Sequence, residues 1–171
     1  MRHVALLIVA AVLCGCATTE GVPTAAPPAS QLTVVTPAID AARAAVAGRL
    51  QEGGFTLAQS NMGYEPGQPG GLQSAQRVVF QISLADPNQG FLVIYDLGTS
   101  DAAIAAGTDF AGYLHSFGHS NYPSDAQFTL NAIDSALVFF WYSRDRASEP
   151  DRADQAFALI SSVGQAIEVI D

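Results

Sequence analysis

His115 and His119 stand four residues apart, with Tyr122 and Asp125 close behind, the densest group of ligand-type side chains in the chain. Two imidazoles and a carboxylate can hold a zinc ion that activates water for hydrolysis, provided both rings share a face and a third ligand reaches them. Gly118 is expected to end a helix between the two histidines, which sets the rings apart and leaves one at a helix end and one in a loop. Asp96 and Asp101 could pair for acid and base work, but they flank one strand-to-helix turn, where capping and turn chemistry account for both. No serine sits in a Gly-x-Ser-x-Gly elbow. The glycines of residues 67–71 are interleaved with prolines, precede a strand and have no following lysine, so they do not make a phosphate loop. Catalysis is therefore not the first expectation, and a weak metal-dependent hydrolase around His115 and His119 is the alternative. What remains is a surface. Phe139, Phe140, Trp141 and Tyr142 put aromatic rings on both sides of one strand. If one side lacks a cover, Phe140 and Tyr142, with Tyr64 from a nearby loop, form a binding face. The other outcome is that one set is core and residues 61–74 shield the rest. A carrier of an apolar small molecule, lined by this strand and the last helix, is a further possibility.

Several elements must position these groups. Thr36 followed by Pro37 is a helix start, and Ile39, Ala42, Val46 and Leu50 recur on one face until Gly53 and Gly54 stop it. Residues 55–59 alternate as a short strand, and residues 61–74, rich in Gly and Pro, read as slack between strands. Residues 77–84 alternate Val78, Phe80, Ile82 and Leu84 with mostly polar partners, and after a turn residues 91–95 run on as a strand apolar on both faces. Thr99 and Ser100 can cap a helix whose buried face carries Ile104, Gly107, Ala111 and Leu114, with Phe110 and Phe117 beside it. Residues 126–131 alternate, Asp134 and Ser135 turn the chain, and residues 136–142 make a central strand. Ser148, with Asp151 three positions on and Pro150 between them, opens a last helix with Ala153, Phe157, Ile160 and Val163 on its face, and residues 166–170 are either its continuation or an extended tail. The order α-β-β-β-α-β-β-α predicts an α+β domain: a five-stranded, mainly antiparallel sheet with three helices packed on one face.

Charge narrows the partners. Sixteen acidic residues face seven arginines and no lysine, for a net charge of −9. Nucleic acid requires a basic footprint, and anionic headgroups do as well, so neither is expected to bind the domain itself.

The N-terminus gives an address. Arg2 and His3 precede an unbroken apolar run over residues 4–13, the length of a signal-peptide core and too short to span a bilayer. Leu13, Cys14, Gly15 and Cys16 follow. These four residues resemble the lipobox of bacterial lipoprotein precursors, with Cys14 as the one departure, where a small aliphatic or hydroxyl residue is commoner. The resemblance covers residues 1–17. It implies cleavage before Cys16, a diacylglyceryl group on that thiol and acylation of the new amino group, a covalent lipid in place of any cofactor. Several acyl chains hold a protein at a bilayer stably, where one holds it marginally. Ala17 after the acceptor implies, by the same resemblance, the outer membrane in a two-membrane cell, facing the periplasm. Residues 16–35, rich in Pro, Ala and Thr, read as the lipidated cysteine and a flexible spacer, of which residues 17–32 span roughly 45 Å when extended. The expected organisation is a signal peptide over 1–15, this tether, and a single globular domain over 36–171. The expected role is a membrane-anchored envelope lipoprotein whose non-catalytic domain binds a protein partner or helps an envelope structure assemble.

Overall fold

A computed structural model describes residues 35–86 and 89–169. The signal run, the lipobox and almost all of the spacer therefore lie outside the described residues.

The first helix, α1 (Pro37–Glu52), begins as its sequence requires: the Thr36 hydroxyl accepts from the Ile39 amide at 3.3 Å, and Pro37 occupies the first turn. Its apolar stripe of Ile39, Ala42, Val46 and Leu50 is fully buried. Strand β1 (Leu57–Gln59) is followed by a long loop with one 3-10 turn at Gly70–Leu72. Strands β2 (Gln76–Ile82) and β3 (Phe91–Asp96) then pair antiparallel, with Val78 opposite Ile94 and Phe80 opposite Leu92. Helix α2 (Ser100–Asn121) leads to the hairpin of β4 (Ala126–Ile133) and β5 (Ala136–Ser143), turned at Asp134 with φ of 50°. Helix α3 (Pro150–Ser161) starts after Glu149 with no side-chain cap bond, so the expected opening at Ser148 is corrected to Pro150 in the first turn, and a last strand, β6 (Gln165–Ile167), completes the order.

The expectation of five strands is corrected to six, in the order β1-β2-β3-β5-β4-β6 with every neighbouring pair antiparallel. The additional strand comes from the segment left open as helix or tail. Gly164, at φ of 72°, reverses the chain so that residues 165–167 pair with β4.

The expectation of three helices on one face is also corrected. Helices α1 and α3 pack on one face, over Val78, Phe80, Ile82, Leu92, Ile94, Val138, Phe140 and Tyr142. Helix α2 packs on the other, over Val93, Tyr95, Leu130, Leu137 and Phe139. The cause lies in the strand registers. β2 and β4 each have one apolar side, but that of β2 (Val78, Phe80) faces α1 and α3, whereas that of β4 (Phe128, Leu130) faces α2. Apolar stripes on opposite faces require covers on both. The supposedly polar side of β4 is accordingly inside: Thr129 is 6% and Asn131 0% exposed, beneath α3.

Candidate functional site

The aromatic strand does not form an exposed patch. Phe140 and Tyr142 are buried against α3, where Phe157 lies 5.3 Å from the Tyr142 ring, and the Tyr142 hydroxyl donates to Asp154, which also pairs with Arg144. Tyr64 is on the opposite face, stacked on Phe91 with ring centroids 4.5 Å apart and accepting from Trp141 Nε1 at 2.6 Å. The three residues expected to share a binding face are thus divided between two layers, as core and as fastening. The clefts described below are lined by other residues, so the aromatic strand gives a carrier of apolar molecules no opening there.

The loop of residues 61–74 is not slack. Its Tyr64 holds Trp141, its Gln68 Oε1 accepts from the Tyr95 hydroxyl at 2.5 Å, its Gly67 carbonyl accepts from the Tyr122 hydroxyl at 2.8 Å, and its Leu72 is buried in the core. Buried phenols need acceptors, and the loop supplies two of them while covering the sheet beyond the reach of α2. The same burial raises the pKa of Tyr64 to about 12 and pushes Tyr95 and Tyr122 upward as well, so all three remain neutral, Tyr95 and Tyr122 as donors and Tyr64 as the acceptor of Trp141.

The metal candidate loses its third ligand. Helix α2 runs through Gly118 to Asn121, so His115 and His119 share one helix, contrary to the expected break; the His119 side chain lies outside the described residues. Gly118 stays within the helix, where a Cβ would make only an ordinary contact with the Phe128 ring, and glycine is tolerated inside a helix as well as at its end. Asp125 is committed elsewhere: both its oxygens accept from Ser143 Oγ at 2.8 Å, and one from the Asp145 amide at 2.9 Å. These bonds, the amide first, lower its pKa. Among the described residues, no three His, Cys, Asp or Glu side chains are grouped to hold a metal ion. Asp96 accepts from the Gly98 amide at 2.9 Å and Thr99 caps α2 through the Ala102 amide at 3.2 Å, the turn chemistry expected there.

The structure adds a cleft between this loop, β2 and α2, with a volume of about 410 Å³. Arg77 forms its floor, with a side chain only 20% exposed, and pairs with Glu65 on the loop, whose side chain is 77% exposed. Gln68, Gln73 and Tyr113 complete the wall. Tyr113 Oη accepts from Asn121 Nδ2 at 2.8 Å, and its ring lies 5.5 Å from that of Phe117, which is 55% exposed instead of buried as its helix position suggested. Sequence reasoning passed over Arg77 as a solvated strand position. The available signal was its isolation, since it is the only arginine between Arg49 and Arg144. A second, more open cleft of about 690 Å³ lies where the described chain begins, between Val35, Thr36 and Pro37 of the α1 entry and Leu57 and Gln59 of β1.

No family model matches the chain, and no curated protein or solved structure matches it significantly.

Proposed function

We propose that this chain is a membrane-anchored envelope lipoprotein whose domain is a binding module without a catalytic role. The observation that carries the reading is the run of residues 4–13 followed by Leu13-Cys14-Gly15-Cys16. Lipid on Cys16 fixes the protein to the bilayer, with the periplasmic face of an outer membrane as its station in a two-membrane cell. No helix among the described residues is long and apolar enough to cross a membrane. The domain, strongly acidic, stands away from anionic headgroups. Support for binding comes from the polar cleft, whose guanidinium, carboxylate, amides and phenol are recognition groups. The decisive experiment is Cys16→Ser with membrane fractionation and mass spectrometry of the mature N-terminal peptide. Expected are a diacylglyceryl mass on Cys16 and release of the variant from the membrane; an unmodified thiol, or undiminished retention of the variant, refutes the anchor.

A further inference from the structure

The cleft between the loop and α2 has a composition that selects one class of ligand. We infer that it binds a neutral saccharide. Its volume, about 410 Å³, falls in the range of small-molecule sites, yet its walls are polar, so it suits a ligand whose surface is mostly hydrogen-bonding. The two ionised groups that line it are Arg77 and Glu65, and their charges cancel. An anion would meet that carboxylate and the field of a chain with net charge −9. A cation would meet the guanidinium. A hydroxyl, which donates and accepts at once, can bridge the pair: Arg77 has five N–H donors, and Glu65 accepts only. Gln73, exposed at the rim, offers both a donor and an acceptor, while Gln68 keeps its amide nitrogen as donor with its oxygen taken by Tyr95.

The aromatic side of the cleft completes the argument. Tyr113 lines it, and next to Tyr113, with ring centroids 5.5 Å apart, Phe117 is an apolar ring left 55% exposed. Aromatic faces carry negative charge density and attract the C–H bonds on the flat face of a sugar ring, while the ring's hydroxyls need the polar wall opposite. A free carboxylate or phosphate has no use for such a platform.

This inference rests on the binding-module reading and can fail apart from it. The test uses the full-length protein in a detergent without a sugar headgroup. Neutral disaccharides, cellobiose and N,N′-diacetylchitobiose, are titrated by saturation-transfer NMR, with galacturonate dimers and inorganic phosphate as anionic competitors. Expected is binding of a neutral disaccharide, untouched by phosphate. Phe117→Ala and Gln73→Ala, both surface changes, should each weaken it about two- to ten-fold. Arg77→Met and Glu65→Gln should weaken it by at least as much. No binding of either neutral sugar, displacement by phosphate, preference for the galacturonate dimer, or affinity unchanged in both surface variants overturns the proposal. Cleavage of a bound disaccharide sustains the ligand class and overturns the non-catalytic reading instead.

Discussion

Asn131 sits mid-strand with no exposure, and its Nδ2 donates to Thr129 Oγ1 at 3.1 Å and to the Ile160 carbonyl at 3.2 Å. The second bond reaches across layers, because Ile160 is in the last turn of α3, where its carbonyl also accepts from the Val163 amide at 3.0 Å. The side chain thereby joins α3 to β4. Asn131→Ala should cost about 1–3 kcal/mol, as both side-chain bonds are lost and a cavity opens beneath α3. Asn131→Asp should cost more at neutral pH, for it sets a carboxylate against that same carbonyl. Burial raises such a carboxyl's pKa, so its penalty is absent below the ordinary value near ~4 and grows as pH rises above it. Urea unfolding at pH 7 and pH 4 checks both statements, and an Asp variant equally weak at the two pH values would contradict the burial argument. From sequence alone Asn131 reads as the outward side of an alternating strand. Alternation reports that two sides differ, not which one meets water, and a polar residue hydrogen-bonded beneath a helix looks the same as a solvated one.

At the scale of elements, β6 depends on close approach. Gly164, at φ of 72°, lies so near Ala132 that a Cβ would stand 2.4 Å from the Ala132 carbonyl oxygen, and a Cβ on Gly107 would meet Ile167 Cδ1 at 2.1 Å. The two glycines therefore allow β6 to seat on β4 with Ile167 tucked against α2. Gly164→Ala should detach that strand, removing its ladder bonds at Leu130, Asn131 and Ala132 while β2, β3 and β5 remain paired. Hydrogen exchange checks this: the amides of residues 165–167 should lose protection in the variant, and those of residues 92–96 should keep it. Helix starts and strand periods were legible because Thr36, Pro37, Thr99 and Pro150 act locally, within a turn of themselves. The passage of α2 through Gly118 was not, because glycine is tolerated within a helix as well as at its end, and the role of the 61–74 loop and the Arg77 cleft were not, because each is set by residues distant in sequence: Trp141, Tyr95 and Tyr122 for the loop, Glu65 and Tyr113 for the cleft.

For the molecule as a whole, the layer on the α2 face is closed by a loop held through phenols, and that makes the fold sensitive to base. Burial raises the pKa of Tyr64 to about 12, and burial also raises Tyr95, Tyr122 and Tyr142, four of the five tyrosines. A phenol whose pKa is raised by folding contributes its stability in full below the unfolded value near ~10. Above that, the unfolded chain releases protons that the fold retains, and the contribution falls until the folded value is passed. For Tyr64 the loss between these limits is about 3 kcal/mol, a large share of the 5–15 kcal/mol typical of a domain, and Tyr95 and Tyr122 act in the same direction. The domain should therefore be indifferent to alkali up to about pH 10 and unfold cooperatively between pH 10 and 12. Tyrosinate absorbance and far-ultraviolet circular dichroism, followed together, provide the check. Ionisation of Tyr64, Tyr95 and Tyr122 should coincide with loss of the sheet signal. If all the tyrosines ionise near pH 10 with the dichroism intact, the phenols meet water in the folded protein and the loop is not the closed cover described here.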